Sequence, residues 1–599
     1  MDSGQLTTLG SLFFWSVERF NHNPLLQWES GDRKVTYSSA EFETAVLKLA
    51  LWFSAVGLSP GDRVGICSEN RPEWHLVDFA CHLARMIVVP VYPTLSAHQM
   101  EQVVGHAGVK ILFCGPAQAD RVAEVRQNLP ELQEVIGFES LPSILAPLAA
   151  ATDSQRAAFR EQVMAEDPET TATFVYTSGT TGTPKGVMLS HRNIIFNAVN
   201  SLKRLPERSN QQLALSVLPL SHVLERVLTY GYFYRGVAIA YGDPHDLKTL
   251  LPKYRPAVLG AVPRVLEKMR EAIDAQIARM PAHRRKISAF LHSVGYAHMD
   301  GNGSWKSRLQ PVAEALMFRK VRAGLGNVEI FVVGGAWLNP ELERYFRALG
   351  FYVVQGYGLT ETSPVIAVNQ YGAEKTGTVG RPIDGIEVKL DEDGEILTRG
   401  PHVMKGYYRD PEATAKVFRD GWFATGDLGT IDAEGYLTIT GRRKEMLLLS
   451  NGKNVYYAPI EQALRQSRYI EQAFFVGEGR NYASVIVVPN RVALQQYSDE
   501  YLKPRGMVFS SEEELLVSTP ILDLYRKAID EQQAGFSRFE QAKRFCFLNE
   551  DALLDIELVT PTQKVRRNVL ERKYAAHIDR MYHQESPFVI AAPTPVASH

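Results

Sequence analysis

Cysteine is scarce in this chain: 599 residues carry only Cys67, Cys81, Cys114 and Cys546. None belongs to a C-x-x-C pair, so neither a disulfide framework nor a cysteine zinc site is expected, and buried free thiols in a reducing cytosol are the reading. No run of about eighteen uncharged apolar residues occurs, so no membrane span is predicted. The aromatic window 227–241 comes nearest, but Arg235 interrupts it, and it reads as buried structure or a pocket wall. The opening MDSGQLTTLGSLFFW lacks the basic start and long apolar core of a secretory signal. Charge is balanced too. A formal net charge of −2 and a pI of about 6.8 argue against a dedicated nucleic-acid binder, while leaving room for local basic patches. Solenoid repeats and low-complexity tracts are missing. The expectation is a cytoplasmic protein. Peripheral attachment at the inner face of a membrane stays open, although no amphipathic basic helix stands out, and nothing sets the oligomeric state, a homodimer included.

What is present is ordinary globular material, 45% hydrophobic and 22% charged, in a chain long enough for two to four domains. Ser38 to Glu41 forms a capping box, after which Phe42, Val46, Leu49 and Phe53 recur at helical spacing. Strand patterns at 63–67, 87–91 and 109–114 alternate with helical ones, which predicts a mainly parallel sheet covered on both faces. The Ala-rich stretch 144–170 reads as helical. A second α/β series follows, with strands at 213–218, 237–241, 257–262 and 328–333 and a long helical region over 263–323. From 376 to 440 short alternating segments split by Asp393-Gly394 and Glu434-Gly435 predict a small β-rich, barrel-like subdomain. Beyond Gly441 the pattern is α+β, with helix near 510–534 and a loosely held tail, SPFVIAAPTPVASH. The expected fold class is therefore α/β. A large N-terminal domain (1–441) of two α/β subdomains plus the β-rich piece precedes a small mobile α+β C-terminal domain (442–599).

One stretch carries the chemistry, TFVYTSGTTGTPKGVMLS at 173–190. A strand runs into a loop of Ser178, Gly179, Thr180, Thr181, Gly182, Thr183, Pro184 and Lys185, and a second short strand leaves it. Glycines let backbone N–H groups approach an anion, hydroxyls donate or reach a metal, and lysine adds a point charge. This is no Walker loop, because Gly186 stands where Ser or Thr must follow the lysine, and the exit is a strand. A P-loop kinase is thereby excluded. A plain hairpin turn would need two to five residues, against eight here.

The loop resembles the signature of the AMP-forming acyl-CoA synthetase, luciferase and adenylation-domain superfamily, and five further stretches follow in the matching order. LPLSHVLER at 218–226 resembles the long-chain acyl-CoA synthetases, and the resemblance puts His222 beside an acyl carboxylate and the phosphates. Gly334, Gly335 and Ala336 end a strand, before Asn339 and Pro340 as helix cap and first residue. There, and at Gln355, Gly356, Tyr357 and Gly358, the resemblance places the adenine, with Tyr357 stacking. Thr360 matches a ligand of the α-phosphate, and Glu361, with Thr177, a holder of Mg2+. Asp427 and Arg442 match the ribose ligands, Lys444 the interdomain hinge, and Ser450, Asn451 and Gly452 the path of coenzyme A. Lys564 matches the mobile lysine of the first half-reaction, although Gln563 precedes it where the family more often has Gly or Leu. The resemblance spans about 12–574.

It implies ATP-dependent activation of a carboxylic acid to an acyl-adenylate, with release of pyrophosphate, then transfer to coenzyme A. Neither half-reaction needs a protein nucleophile, which fits the lack of a G-x-S-x-G motif or Cys–His pairing. The LPLSHVLER form and the apolar stretch after it favour a medium- to long-chain fatty acid. An acyl-AMP ligase loading a carrier protein, and a CoA ligase for an aryl or short-chain acid, remain the alternatives. A catalytically dead acyl-binding scaffold would need a broken station, and none is broken.

Overall fold

The computed structural model describes residues 6–177, 184–206, 212–301, 304–443, 445–549, 551, 558, 565–584 and 586–590. The chain divides into two compact units, one of residues 1–392, 396–425 and 430–438, the other of 393–395, 426–429 and 439–599.

Two large sheets build the first unit. In one, five parallel strands run in the order Glu134–Gly137, Val109–Cys114, Arg63–Cys67, Ile87–Pro90 and Thr171–Thr177. The strand Lys185–Ser190 then adds antiparallel, and the two-residue strand Gly406–Tyr407 adds beyond it. The other sheet is parallel through Tyr352–Gly358, Ile330–Val333, Val258–Ala261, Leu213–Ser216, Ala238–Tyr241 and Leu26–Ser30. Antiparallel strands close both of its edges. Connections between parallel strands must cross over through helices, and these helices supply the core the sheets share.

Local signals act where the sequence places them. Ser38 caps its helix in a box with Glu41, Ser190 caps the helix His191–Leu202, and Asn339 accepts from the Glu341 backbone ahead of Pro340. Elsewhere tertiary pairing changes the outcome. Residues 355–358, two of them glycines, nonetheless continue the strand Tyr352–Gly358, because Val365–Val368 turns back to pair with them. Lys185 likewise opens a strand instead of ending a loop, paired across from Thr177. The stretch 144–170 divides into a short helix ending at Leu145 and the helix Asp153–Ala165.

The helix Pro72–Leu83 is buried along its whole length, including Glu73, His75, Asp78 and His82. A helix dry on every side must find partners for such groups. Arg71 grips Glu73 through two bonds of 2.9 Å, and His75 lies between Thr229 Oγ1 at 3.0 Å and Tyr241 Oη at 2.8 Å. Asp78 accepts from Arg226 Nη2 at 2.5 Å and Tyr230 Oη at 2.6 Å. Burial pushes the Asp78 carboxyl up, but Arg226 and His82 outweigh it and hold the group below the usual carboxylate range. Arg226 also donates to Thr173 Oγ1 at 2.7 Å, and Thr173 to the Val88 carbonyl at 2.6 Å.

In the second unit the strands Ile470–Val476, Ser484–Pro489, Phe545–Leu548 and Val589–Ile590 form one sheet. Successive side chains of a strand point to opposite faces. Phe475, Val485, Val487 and Phe547 therefore face the helices Tyr457–Leu464 and Thr519–Gln533, while Phe474, Ile486, Val488 and Leu548 face Arg567–Lys573 and Ala575–His583.

Removing one partner of the Asp78–Arg226 pair leaves a charge with no water to return to. Arg226→Met is expected to cost about 3–5 kcal/mol, read as a drop in the midpoint of urea unfolding. The double variant Asp78→Asn, Arg226→Met should regain much of that loss.

Candidate active site

The arms of the Gly/Thr loop form a hairpin, with Thr177 ending one strand opposite Lys185, which begins the next. Ser178, Gly179, Thr180, Thr181 and Gly182 lie outside the described residues. The Lys185 ammonium sits over the Tyr407 ring, 5.0 Å from its centroid, and the Tyr407 hydroxyl donates to Glu361 Oε1 at 2.8 Å. Backbone bonds fix this trio. Tyr407 pairs with Val187, Tyr408 N–H donates to the Gly186 carbonyl at 2.7 Å, and Met404 N–H donates to the Glu361 carbonyl at 2.8 Å. Burial, then the Glu361 carboxylate, pushes the Tyr407 hydroxyl well above its ordinary value, so it stays a donor. Tyr407 is absent from the sequence-based candidates. Its strand is two residues long, too short for any periodicity, and the only sequence signal is an aromatic pair after Gly406.

The next candidates lie at the carboxyl ends of adjacent parallel strands, where open α/β sheets bind ligands. Val333 pairs with Gln355, and Gly334 N–H donates to the Ala261 carbonyl at 3.2 Å. Two glycines here are dictated by space and angle. Gly335 has φ +79°, and a Cβ on Gly358 would lie 1.8 Å from the Pro364 carbonyl oxygen. Gln355 Oε1 is buried with no hydrogen-bond partner among the described residues, an orphan acceptor of the kind a polar ligand satisfies. Thr360 and Glu361 follow in a half-buried 3-10 turn, Thr360–Thr362.

His222 caps the helix Val223–Arg235, and its Nδ1 accepts from the Leu224 N–H at 3.1 Å. A neutral ring with Nδ1 as acceptor carries its proton on Nε2. One turn of this helix reaches the strand-end glycines. Leu224 lies 3.2 Å from the Cβ position of Gly334, and a Glu225 carboxyl oxygen 2.9 Å from that of Gly260. Both Glu225 oxygens are buried, and among the described residues neither makes a well-formed hydrogen bond, the Ser216 hydroxyl lying near but poorly placed. Burial pushes its pKa up to about 8, with Ser216 offsetting only part of the rise. The carboxyl is thus protonated at neutral pH. Glu225 stands in the LPLSHVLER motif but carries no assignment there; an acidic residue in an apolar, aromatic stretch was the available signal.

The remaining candidates belong to the second unit. Asp427 is buried and accepts from Arg442 Nε at 2.6 Å, so the two proposed ribose ligands meet each other. Arg443 holds Asp393 at 2.8 Å and Glu395 at 3.0 Å. Ser450, Asn451 and Gly452 form the exposed turn between Met446–Leu448 and Asn454–Tyr456, where Gly452 has φ +78° and Ser450 Oγ lies 2.6 Å from Asn481 Oδ1. Lys444 and Lys564 lie outside the described residues.

Glu225 titrates with a definite sign. Its native pKa stands above the unfolded one, so folding takes up a proton between about pH 4.5 and pH 8, and its contribution to stability is lost across that window as pH rises. Glu225→Gln keeps the shape and removes the titration. It should be more stable at pH 7, on the order of a few kcal/mol, with the advantage vanishing by about pH 4.5. Unfolding both proteins at a series of pH values checks this, and a constant difference would defeat it.

Residues 13–408 match the family described as AMP-binding enzyme, and residues 444–586 match its C-terminal domain. A long-chain-fatty-acid–CoA ligase, FadD15 of Mycobacterium bovis, is 34% identical over 91% of this chain and 92% of its own. Long chain acyl-CoA synthetase 1 of Arabidopsis thaliana is 31% identical over 96% of this chain and 93% of its own. Among solved structures, a Mycobacterium tuberculosis fatty acyl CoA synthetase superposes with a TM-score of 0.63 at 22% identity, covering 96% of this chain and 99% of the other. Two family domains in sequence order, with relatives aligned almost end to end, settle the matter: the chain belongs to the AMP-binding enzyme family, the AMP-forming acyl-CoA synthetase superfamily.

Proposed function

We propose that this protein activates a medium- to long-chain fatty acid. The fatty carboxylate attacks the α-phosphate of ATP, giving acyl-adenylate and pyrophosphate; the thiol of coenzyme A then attacks the mixed anhydride, and AMP leaves. The observation that carries the reading is the grouping of Lys185, Tyr407 and Glu361 at the root of the Gly/Thr loop. Relatives named as long-chain acyl-CoA ligases support the choice of acid and acceptor.

A carboxylate and a polyphosphate repel, so catalysis here consists of positioning and charge stabilisation. Lys185 and the loop 178–182 hold the pyrophosphate end. Glu361, steadied by Tyr407, and Thr177 would hold Mg2+; these are the hard oxygen donors magnesium favours, and the ion when bound neutralises phosphate charge. Thr360 donates to the α-phosphate, and His222, with its proton on Nε2, faces the acyl carboxylate. Gly334, Gly335, Ala336 and residues 355–358 receive the adenine, and Asp427 with Arg442 the ribose diol.

The two half-reactions need different groups at one centre. In this proposal the C-terminal domain, 442–599, turns about Lys444, presenting Lys564 first and the turn Ser450 to Gly452 second. Because the product is made from a lipid, the protein works at the surface of a membrane. No helix among the described residues is long and apolar enough to cross one.

ATP–pyrophosphate exchange over a chain-length series, repeated with coenzyme A, tests the reading. Each buried methylene is worth about 0.8 kcal/mol, so kcat/KM should climb steeply with length before levelling; a flat response or an aryl-acid preference would defeat it. Lys564→Ala should abolish adenylate formation while sparing thioester formation from preformed acyl-AMP. Equal loss in both would remove Lys564 from its role.

A further inference from the structure

Much of the exposed apolar surface gathers on one part of the first unit. Ile287 (50% exposed), Phe290 (39%), Trp305 (63%), Val312 (48%) and Leu316 (55%) all fall within thirty residues. Ile287 and Phe290 lie on the helix Ala282–Met299, in line with Leu291 and Val294, which are buried. The C-terminal half of that helix packs so closely that a Cβ on Gly295 would lie 2.1 Å from the Ala348 carbonyl oxygen. Its N-terminal half carries the same stripe uncovered. Trp305 extends the stripe, with its ring 6.2 Å from Phe290, and Lys306 Nζ stands 6.0 Å over the Phe290 ring.

Charge around this stripe departs from that of the whole molecule. Residues 279–322 hold nine Lys and Arg against two acidic residues, a formal charge of +7 in a protein whose total is −2. The two acids are engaged, Glu314 by Arg322 and Asp300 by Arg344. Arg284, Arg285, Lys286, Arg308, Arg319 and Lys320 are exposed, and none of them joins an ion pair among the described residues. The sequence showed no such helix because the stripe has the spacing of an ordinary core face; only the fold shows that half of it is bare.

We propose that this face, built on the helix Ala282–Met299 and the segment from Trp305 to Leu316, docks the protein on a bilayer rich in anionic lipid. An apolar stripe flanked by Lys and Arg, with a tryptophan at its edge, matches the acyl boundary, the headgroup phosphates and the interface between them. A second copy of the chain is a poorer occupant, since a two-fold contact would set one strongly cationic patch against itself. The inference rests on the proposed fatty acid activity, because a membrane is where such a substrate is dissolved.

Flotation of the full chain with vesicles tests it. The protein should float with phosphatidylcholine vesicles containing one-third phosphatidylglycerol, bind phosphatidylcholine alone far more weakly, and be released by high salt. The triple variant Arg284→Glu, Arg285→Glu, Lys286→Glu should lower partition on the order of a hundredfold, from about fivefold per basic residue. Trp305→Ser should weaken it while preserving the salt dependence. Turnover of a soluble medium-chain acid should be unchanged in both variants, and turnover of a long-chain acid supplied in vesicles should fall. Intact turnover without binding to anionic vesicles, or a triple variant that floats like the parent, would overturn the docking surface. So would variants that change oligomeric state but not flotation, which would make the patch a protein contact. A chain that floats as expected yet activates no fatty acid would instead overturn the proposed activity.

Discussion

The first unit is held in register by one buried charge pair. Arg226 and Asp78 are 2% and 0% exposed, a depth at which an unpaired charge costs several kcal/mol. The pair ties three elements together. Asp78 belongs to the wholly buried helix Pro72–Leu83, and Arg226 to the helix capped by His222. Thr173, which accepts from Arg226, lies on the strand that leads into the Gly/Thr loop. A shift of any one element would have to break bonds at the other two. Hydrophobic contacts around the pair are stronger in sum but tolerate sliding; directional bonds do not. The candidate phosphate loop and the candidate carboxylate-facing histidine thus share one anchor.

Around that anchor the strand ends make a platform. Parallel strands place their carboxyl ends side by side, so Gly334 and Gln355, twenty-one residues apart, become neighbours. Glycine appears where the backbone must be approached closely or bent. Gly335 takes a left-handed angle, and Gly358 lies too near the Pro364 carbonyl for any side chain. The added strand Gly406–Tyr407 then brings a hydroxyl from a distant part of the chain onto Glu361. A carboxylate on a short turn would otherwise sample several rotamers, and one fixed oxygen removes much of that freedom.

Much of this was legible from local chemistry. Capping boxes, the helix–strand alternation and the glycine-ended strand are short-range signals, and Ser38 and Asn339 act where the sequence places them. What escaped is set by pairing across long separations. Residues 355–358 carry turn-like glycines, and only the returning strand Val365–Val368 makes them extended. Tyr407 enters the site through a ladder with residues more than two hundred positions earlier, which no window of sequence contains. The bare half of the helix Ala282–Met299 is of the same kind. Its pattern is that of a core helix, and exposure is a property of what fails to cover it.

Glu225 and Arg226 show how one helix can carry opposite electrostatics on adjacent residues. Both are buried, and successive helical positions diverge by about 100°. Arg226 turns toward Asp78, where a counter-charge keeps it ionised. Glu225 turns toward Gly260, where it has no cation, so burial keeps its proton on. Desolvation alone neutralises an acid, whereas desolvation with a partner does not. For the proposed reaction the difference matters. A second anion close to the His222 proposed to face the acyl carboxylate would repel that substrate, and a neutral Glu225 carboxyl does not. Of the two buried ionisable groups on this turn of helix, only the one with a counter-charge stays ionised on folding.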